Sequence, residues 1–537
     1  MKKKIVLLLL TVLFCNSLIG CTGGVHTKGG SGGIVMNSPA MVEKGSYEIM
    51  DSMTSSHSTG IIYDRPEFNT EEYNHIVRND FKKVSVSPLS TFAIDVDTGS
   101  YPAFRNKVND GYSLSDMPSG MIRTEEMLNY FEYEFAETVY GDKFDISYEL
   151  GECPWEEDNL IAALTVKSEE IDRKAPPRNF VILFDTSGSM DSVDKGYLAL
   201  YACSYLVDTV TEDDRISIVT YANDSDIILD GSNNSRDIDY GLDRIAEMLQ
   251  YGGGTNGSGG ITAAYELARS NFIEGGNNRV IIFSDGDMNL GVTSQSELVD
   301  LVQKNAKESN IFLTTLGFGT GNYSDANMEQ IANKGNGNYY YIDSIAEAKR
   351  VLKERLNQST LTIAKDVKLQ VEFNPMYVSE YKLLGYENRA MADEDFENDE
   401  KDGGEVGPNQ CVTVLYEIVP TKEGSNSKSN LKYQETPELS EEAKTSNELM
   451  TLSIRYKEPD EDESVLEQFA LFNKTTEPSD EFRFVCGIAK LVDNIGSGKY
   501  KELYLAVDLL ESGVNLGDEF KELYDLVNVA MDYEKMD

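Results

Sequence analysis

Asp185, Ser187 and Ser189 stand at alternate positions where an apolar run of strand type, beginning at Phe180, gives way to a turn. Three oxygen-bearing side chains so spaced converge if the turn curls around something, and a small hard cation is the simplest occupant. Mg²⁺ suits them because it accepts hydroxyl and carboxylate oxygens, keeps several waters, and needs no cage of charged ligands. Two later stretches carry matching groups. Gly252, Gly253 and Gly254 lead to the hydroxyl of Thr255 just before a helical pattern, and an apolar strand from Val280 to Ser284 ends in Asp285.

The elements around these residues alternate. Strand patterns run over Phe180 to Asp185, Ile216 to Tyr221, Val280 to Ser284, Ile311 to Gly317 and Tyr339 to Ile342. Helical patterns lie between them, near Lys195 to Val210, Asp237 to Gln250, Gly259 to Asn271, Ser294 to Ser309 and Asn327 to Lys334, with Ile345 to Arg355 closing the series. Near-continuous apolar strands joined by helices imply a parallel sheet covered on both faces. Ligands of such sheets sit at the carboxyl ends of the strands, and Asp185, Thr255 and Asp285 all fall at that edge.

Asp-x-Ser-x-Ser, then Thr, then Asp, in that order on those elements, closely resembles the metal-ion-dependent adhesion site of von Willebrand factor type A (VWA) domains. The resemblance implies that Ser187, Ser189 and Thr255 offer hydroxyls to Mg²⁺, Mn²⁺ or Ca²⁺, while Asp185 and Asp285 act directly or through water. Two carboxylates leave a dication incompletely neutralised. An acidic side chain of a protein ligand can then replace a metal-bound water, with specificity set by the surrounding loops. Asp287 and Asn289 are placed to support the ligands. The alternative is a metal-free turn whose residues only cap the following helix, as Asp191 and Asp194 are expected to do.

The likeness extends beyond this segment. Phe92-Ala93-Ile94-Asp95-Val96-Asp97-Thr98-Gly99-Ser100-Tyr101, Arg123-Thr124-Glu125-Glu126-Met127-Leu128-Asn129-Tyr130-Phe131 and Leu384-Gly385-Tyr386-Glu387-Asn388-Arg389-Ala390 resemble a family of bacterial VWA-containing lipoproteins. Its specific regions flank the VWA domain from roughly Pro88 to the end. Asp95 and Asp97 also invite comparison with haloacid-dehalogenase phosphatases. Gly99 stands where that pattern requires Thr or Val, so the pair is expected in a turn and a helix cap instead.

Composition removes several chemistries. The three histidines, His26, His57 and His75, all precede the first globular segment, which excludes Ser-His-Asp and Cys-His catalysis and histidine-bound zinc from the folded part. A metal-dependent hydrolase would have to use a carboxylate as its base, and that stands as the alternative function. Net charge is −44, a field that repels nucleic acid and anionic membrane surfaces. Cys153, Cys203, Cys411 and Cys486 are far apart and expected to be free. Nothing suggests a small-molecule cofactor.

At the N-terminus, Lys2-Lys3-Lys4, an apolar run and Leu18-Ile19-Gly20-Cys21 form a secretory signal whose end resembles the bacterial lipobox. The expectation is a lipid on Cys21 that tethers the protein to a membrane, in the periplasm or at the cell surface of a bacterium. The fold expected is α/β: a doubly wound parallel-sheet VWA domain inserted in a β-sandwich built from flanking strands, with a small C-terminal helical region. The expected division is signal 1–20, flexible tether 21–87, N-terminal VWA-associated region 88–142, first sandwich flank 143–178, VWA domain 179–357, second flank 358–457 and helical region 458–537. The leading function is a non-enzymatic, membrane-anchored adhesion or binding module.

Overall fold

Arg178–Asp185 and Asn277–Ser284 are buried at all eight of their positions. Strands buried on both faces belong at the centre of a helix-covered sheet, and both lie there. The structure, a computed structural model, describes residues 71, 73, 75–118, 120–171, 175–254, 257–286, 295–320, 325–358, 361–422, 439–495 and 499–535. In chain order its strands are β1 (Lys82–Lys83), β2 (Leu89–Ala93), β3 (Glu137–Tyr140), β4 (Phe144–Glu152) and β5 (Leu160–Ser168). Then come β6 (Arg178–Asp185), β7 (Arg215–Tyr221), β8 (Ser225–Ser232), β9 (Asn277–Ser284), β10 (Ile311–Phe318) and β11 (Tyr339–Ile342). After these follow β12 (Ala364–Phe373), β13 (Val378–Leu384), β14 (Gly404–Val406), β15 (Cys411–Pro420), β16 (Glu448–Lys457) and β17 (Ser464–Phe472).

The central sheet has the order β11-β10-β9-β6-β7-β8. All its pairings are parallel except β7 with β8. Alternate residues of β6 serve different layers. Phe180, Ile182 and Phe184 pack with Ala199, Ile245 and Ala348 from helices Leu198–Val207, Ser235–Leu249 and Ile345–Arg350. Val181 and Leu183 pack with Ile261, Leu298 and Met328 from Gly257–Ser270, Gln295–Ser309 and Asp325–Lys334 on the other face. Burying each of the larger apolar side chains among these stabilises the fold by about 1.5–3 kcal/mol.

The flanks pair across the insertion. β5 lies antiparallel to β15, and β2 antiparallel to β12. One sandwich sheet runs β1-β13-β15-β5-β4-β3; in the other β12 joins β14, β16 and β2, and β17 lies beyond β16. Phe144, Leu164, Leu369, Val414 and Ile454 meet in the core between them. The protein is thus an α/β unit set into a β-sandwich built from both flanks, with helices Asp480–Asn494, Tyr500–Leu510 and Asp518–Glu534 at the C-terminal end.

Several strands depart from the expectation: β1, followed by the buried Val84, lies in the stretch 21–87 expected to be a flexible tether, and β2 and β3 join the sandwich from 88–142, outside its expected flanks. β8 is an antiparallel edge strand whose residues are half-buried or exposed, so its apolar pattern is weak. The stretch 458–537, expected to be helical, opens with β17. The acidic run before it is an exposed turn joining β16 to β17.

The segments on either side of the insert share a core. Tyr101, Phe104 and Phe131 pack with Phe484, Leu510 and Val527, and the Phe131 ring lies 5.2 Å from Phe484 and 5.1 Å from Phe520. Helix Thr124–Asn129, amphipathic by its spacing, is buried at all six positions because this core and β15 enclose it. Charged side chains then fasten the insert to its frame. Arg105 donates to both carboxylate oxygens of Asp343, at 2.6 and 2.7 Å, and to Glu347 at 2.9 Å.

Asp97 belongs to this fastening, Asp95 pairs within the frame, and neither caps a helix. Gly99 holds the N-cap position of helix Ser100–Asn109. The Asp97 carboxylate accepts the Tyr339 amide of β11 at 3.0 Å, and Asp95 accepts the Arg389 guanidinium at 2.8 Å. Cys153, Cys203, Cys411 and Cys486 are free and buried. Among the described residues no helix is long and apolar enough to cross a membrane.

Candidate metal centre

β6 pairs with β7 on one side and β9 on the other: the chain winds outward from β6 to β8, then returns to the far side of β6 and winds outward again through β9, β10 and β11. The crevice at such a reversal is where open α/β sheets bind ligands. Asp185 ends β6 and Asp285 follows the last residue of β9. Sheet topology alone therefore brings together two residues 100 positions apart, and both are fully buried.

The turn after β6 is pinned before any ligand is considered. The Thr186 amide donates to the Tyr221 carbonyl at 2.9 Å and the Gly188 amide to the Gly253 carbonyl at 3.0 Å. Gly252 has a φ of +60° and packs so closely that an added Cβ would lie 3.2 Å from the Gly188 Cα. The glycine loop is thus in contact with the serine turn. Thr255, Asp287 and Asn289 lie outside the described residues, as does Cys21.

The Asp185 carboxylate accepts the Ser187 amide at 2.9 Å through Oδ1, and the Tyr221 and Ser284 hydroxyls at 3.0 and 2.9 Å through Oδ2. Even so, burial, and next the charge of Asp285, push its pKa up to about 6. Two buried carboxylates raise each other's cost of ionisation, and a cation between them relieves it. Ser187 Oγ lies 3.1 Å from Ser189 Oγ. Asp285 Oδ2 accepts the Lys195 ammonium at 3.1 Å. Lys195 sits on a π-helical turn, Val193–Tyr197, whose N-cap position is Ser192, with no side-chain cap from Asp191 or Asp194.

Sequence reasoning found Asp185, Ser187, Ser189 and Asp285, which the structure gathers at one sheet edge. It missed Tyr221, Ser284 and Lys195. The first two end strands beside Asp185 and were open to inference from position; nothing in the spacing of Lys195 marks it. The donors are all oxygens, a hard set that fits Mg²⁺, Mn²⁺ or Ca²⁺. Among the described residues no three His, Cys, Asp or Glu converge on a metal-sized site. A cation here would depend on hydroxyls and water as much as on carboxylates.

This sheet order and strand-end turn define a von Willebrand factor type A domain, and that domain family matches residues 179–354. Domains of this class are generally non-enzymatic protein-interaction or adhesion modules, and they commonly bind a divalent metal. Residues 67–162 match the family described as von Willebrand factor, and 358–530 that described as uncharacterized protein YfbK, C-terminal. Uncharacterized protein YfbK of Escherichia coli is 37% identical over 444 residues, 80% of this chain and 75% of the relative. The chain belongs to the YfbK family of VWA-containing bacterial proteins. Uncharacterized protein sll0103 of Synechocystis is 26% identical over 40% of this chain and 49% of its own length. Among solved structures, a von Willebrand factor type A protein from Catenulispora acidiphila is 16% identical over 71% of this chain and 90% of that one, with a TM-score of 0.42. The ArnB paralog VWA2 from Sulfolobus acidocaldarius is 17% identical over 74% and 98%, with a TM-score of 0.36.

Proposed function

We propose that the protein is a membrane-anchored extracytoplasmic binding module that engages an acidic group of a protein ligand through a divalent metal. The observation that carries this reading is the meeting of Asp185 and Asp285 at the switch point beside the paired hydroxyls of Ser187 and Ser189. The metal would be held by Ser187, Ser189 and Thr255, with Asp185 and Asp285 acting directly or through water. When bound, it would supply an electrophilic position for a carboxylate oxygen. Tyr251 and Val193, 87% and 61% exposed, belong to the glycine-loop and helix-start segments that adjoin the serine turn, and offer apolar contact around it.

The Asp185 hydrogen bonds decide which variant tests this. Asp185→Ala would leave the buried Tyr221 and Ser284 hydroxyls without their acceptor, at about 1–3 kcal/mol each. A loss of metal in that variant would then be mixed with damage to the sheet. Ser187→Ala with Ser189→Ala instead removes two hydroxyls that bond each other, so neither is left without that partner. Calorimetric titration of Mg²⁺ and Mn²⁺ should show one site in the wild type and a loss of about tenfold or more in affinity, with thermal unfolding nearly unchanged. Unaltered affinity would reject the metal centre.

Anchoring rests on the Leu-Ile-Gly-Cys21 pattern. Cys21→Ser should move the protein from the membrane fraction to the soluble extracytoplasmic one, with loss of acyl label. Continued membrane retention without label would reject the anchor.

A further inference from the structure

The position of Lys195 has a consequence for how the centre is charged. Its Nζ lies 3.1 Å from Asp285 Oδ2, and the residue is only 8% exposed. The side chain is seated in a shaped slot. Its stem crosses Gly319, where an added Cβ would come within 2.2 Å of the Lys195 Cγ, and whose φ of +75° favours glycine. Gly319 is held in turn: its carbonyl accepts the Tyr341 hydroxyl at 2.8 Å, and that hydroxyl accepts the Asn106 amide at 2.6 Å. The π-helical turn adds one residue to the helical repeat, which sets the direction in which Lys195 leaves the backbone.

We infer that Lys195 is a resident positive charge that makes metal loading depend on the ligand's carboxylate. This rests on the metal-bridged reading above. Asp185 and Asp285 carry two negative charges and Lys195 one positive, so the crevice without metal holds a net −1. A dication brings it to +1, and a partner carboxylate to zero. Without the lysine, the metal alone would neutralise the crevice, and the carboxylate would add an unbalanced charge. The ammonium therefore weakens binding of metal alone and favours the complete assembly of metal and acidic ligand. It also answers a difficulty set by the net charge of −44, which opposes an acidic partner at long range. That field is screened beyond about 8–10 Å in physiological salt, whereas the buried ammonium acts at contact.

The test is calorimetric titration of Mn²⁺ and of Mg²⁺ into the full chain, its Lys195→Gln variant and its Lys195→Met variant. Glutamine can still donate to Asp285 without charge, whereas methionine keeps only the length of the side chain. Both variants should bind metal about tenfold or more tightly than the wild type, since a unit charge within a few ångströms of a dication in a partly buried site costs at least that much. Circular dichroism and thermal unfolding establish that each is folded. Equal or weaker affinity in both folded variants, with a wild type that binds, would overturn the role of Lys195 and leave the metal centre standing. Binding by none of the three proteins would reject the metal-bridged reading and this inference with it.

Discussion

Replacing Arg123 with methionine should destabilise the protein by about 3–5 kcal/mol at pH 7, measured as a shift in the urea unfolding midpoint. Arg123 is 3% exposed and holds three carboxylates together. Its Nη1 donates to Glu126 at 2.8 Å, and its Nη2 to Asp325 and Glu329, each at 2.5 Å. The last two belong to helix Asp325–Lys334 of the VWA domain, while Arg123 and Glu126 belong to the segment before it. Other donors also converge on these carboxylates: the Ser100 amide and hydroxyl on Glu126, the Tyr339 hydroxyl on Asp325, and the Asn388 amide on Glu329. They orient the carboxylates without neutralising them.

Methionine would fill most of the space of the arginine stem and leave the carboxylates without its charge. Breaking one side of a buried ion pair is costly because the charge left behind can neither return to water nor find a new partner. Glu126, raised to about 8 by burial even beside Arg123, already holds its proton at pH 7, so the penalty comes from the other two carboxylates and should shrink toward pH 5 as Glu329, also raised by burial, takes up its proton. Arg244→Met is the matching control: Arg244 pairs with Glu247 where both side chains are more than 40% exposed. Such a pair contributes about 0–1 kcal/mol, so its loss should be close to neutral. If Arg123→Met proves as mild as Arg244→Met, the network does not hold the insert in place.

The contrast between these arginines also marks how far sequence carries. Phe180 to Asp185 and Val280 to Ser284 read as strands because burial on both faces leaves a continuous apolar run. Their adjacency follows from the rules of parallel sheets, so the approach of Asp185 to Asp285 was legible too. Ser225–Ser232 was not: an edge strand needs few buried side chains, and its Asp226 and Asp230 face water. Asp97 illustrates a different limit. Its amide partner, Tyr339, is 242 residues away, and no local pattern encodes that distance. Arg123 opens a helix that reads as amphipathic, yet both sides of that helix are enclosed by elements from other parts of the chain. Lys195 depends on Gly319 and a π-helical turn, which only the folded chain brings together.

The buried acids make stability depend on pH, and Glu125→Gln isolates one of them. Glu125 is 1% exposed; its Oε2 accepts the Tyr386 amide at 3.0 Å. Burial, then the charges of Glu387 and Asp95, push its pKa up to about 7 against the pull of that amide and its own. Glu126 and Glu405 are each raised to about 8, chiefly by burial, with Arg123 opposing the rise in Glu126 and Lys365 that in Glu405. In the unfolded chain all three ionise near pH 4.5. Below that pH both states hold the protons and nothing is lost. Between there and pH 7–8 the unfolded chain releases protons that the folded protein keeps, which removes about 1.4 kcal/mol per pH unit for each group. The wild-type urea midpoint should therefore fall steadily from pH 5 to pH 8. Glutamine at 125 keeps an oxygen for the Tyr386 amide and has no charge for Glu387 and Asp95 to oppose. The variant should match the wild type closely at pH 5 and exceed it by about 2–3 kcal/mol at pH 8. Parallel pH curves for the two proteins would mean that Glu125 keeps its charge in the fold, stabilised by something other than the contacts seen here.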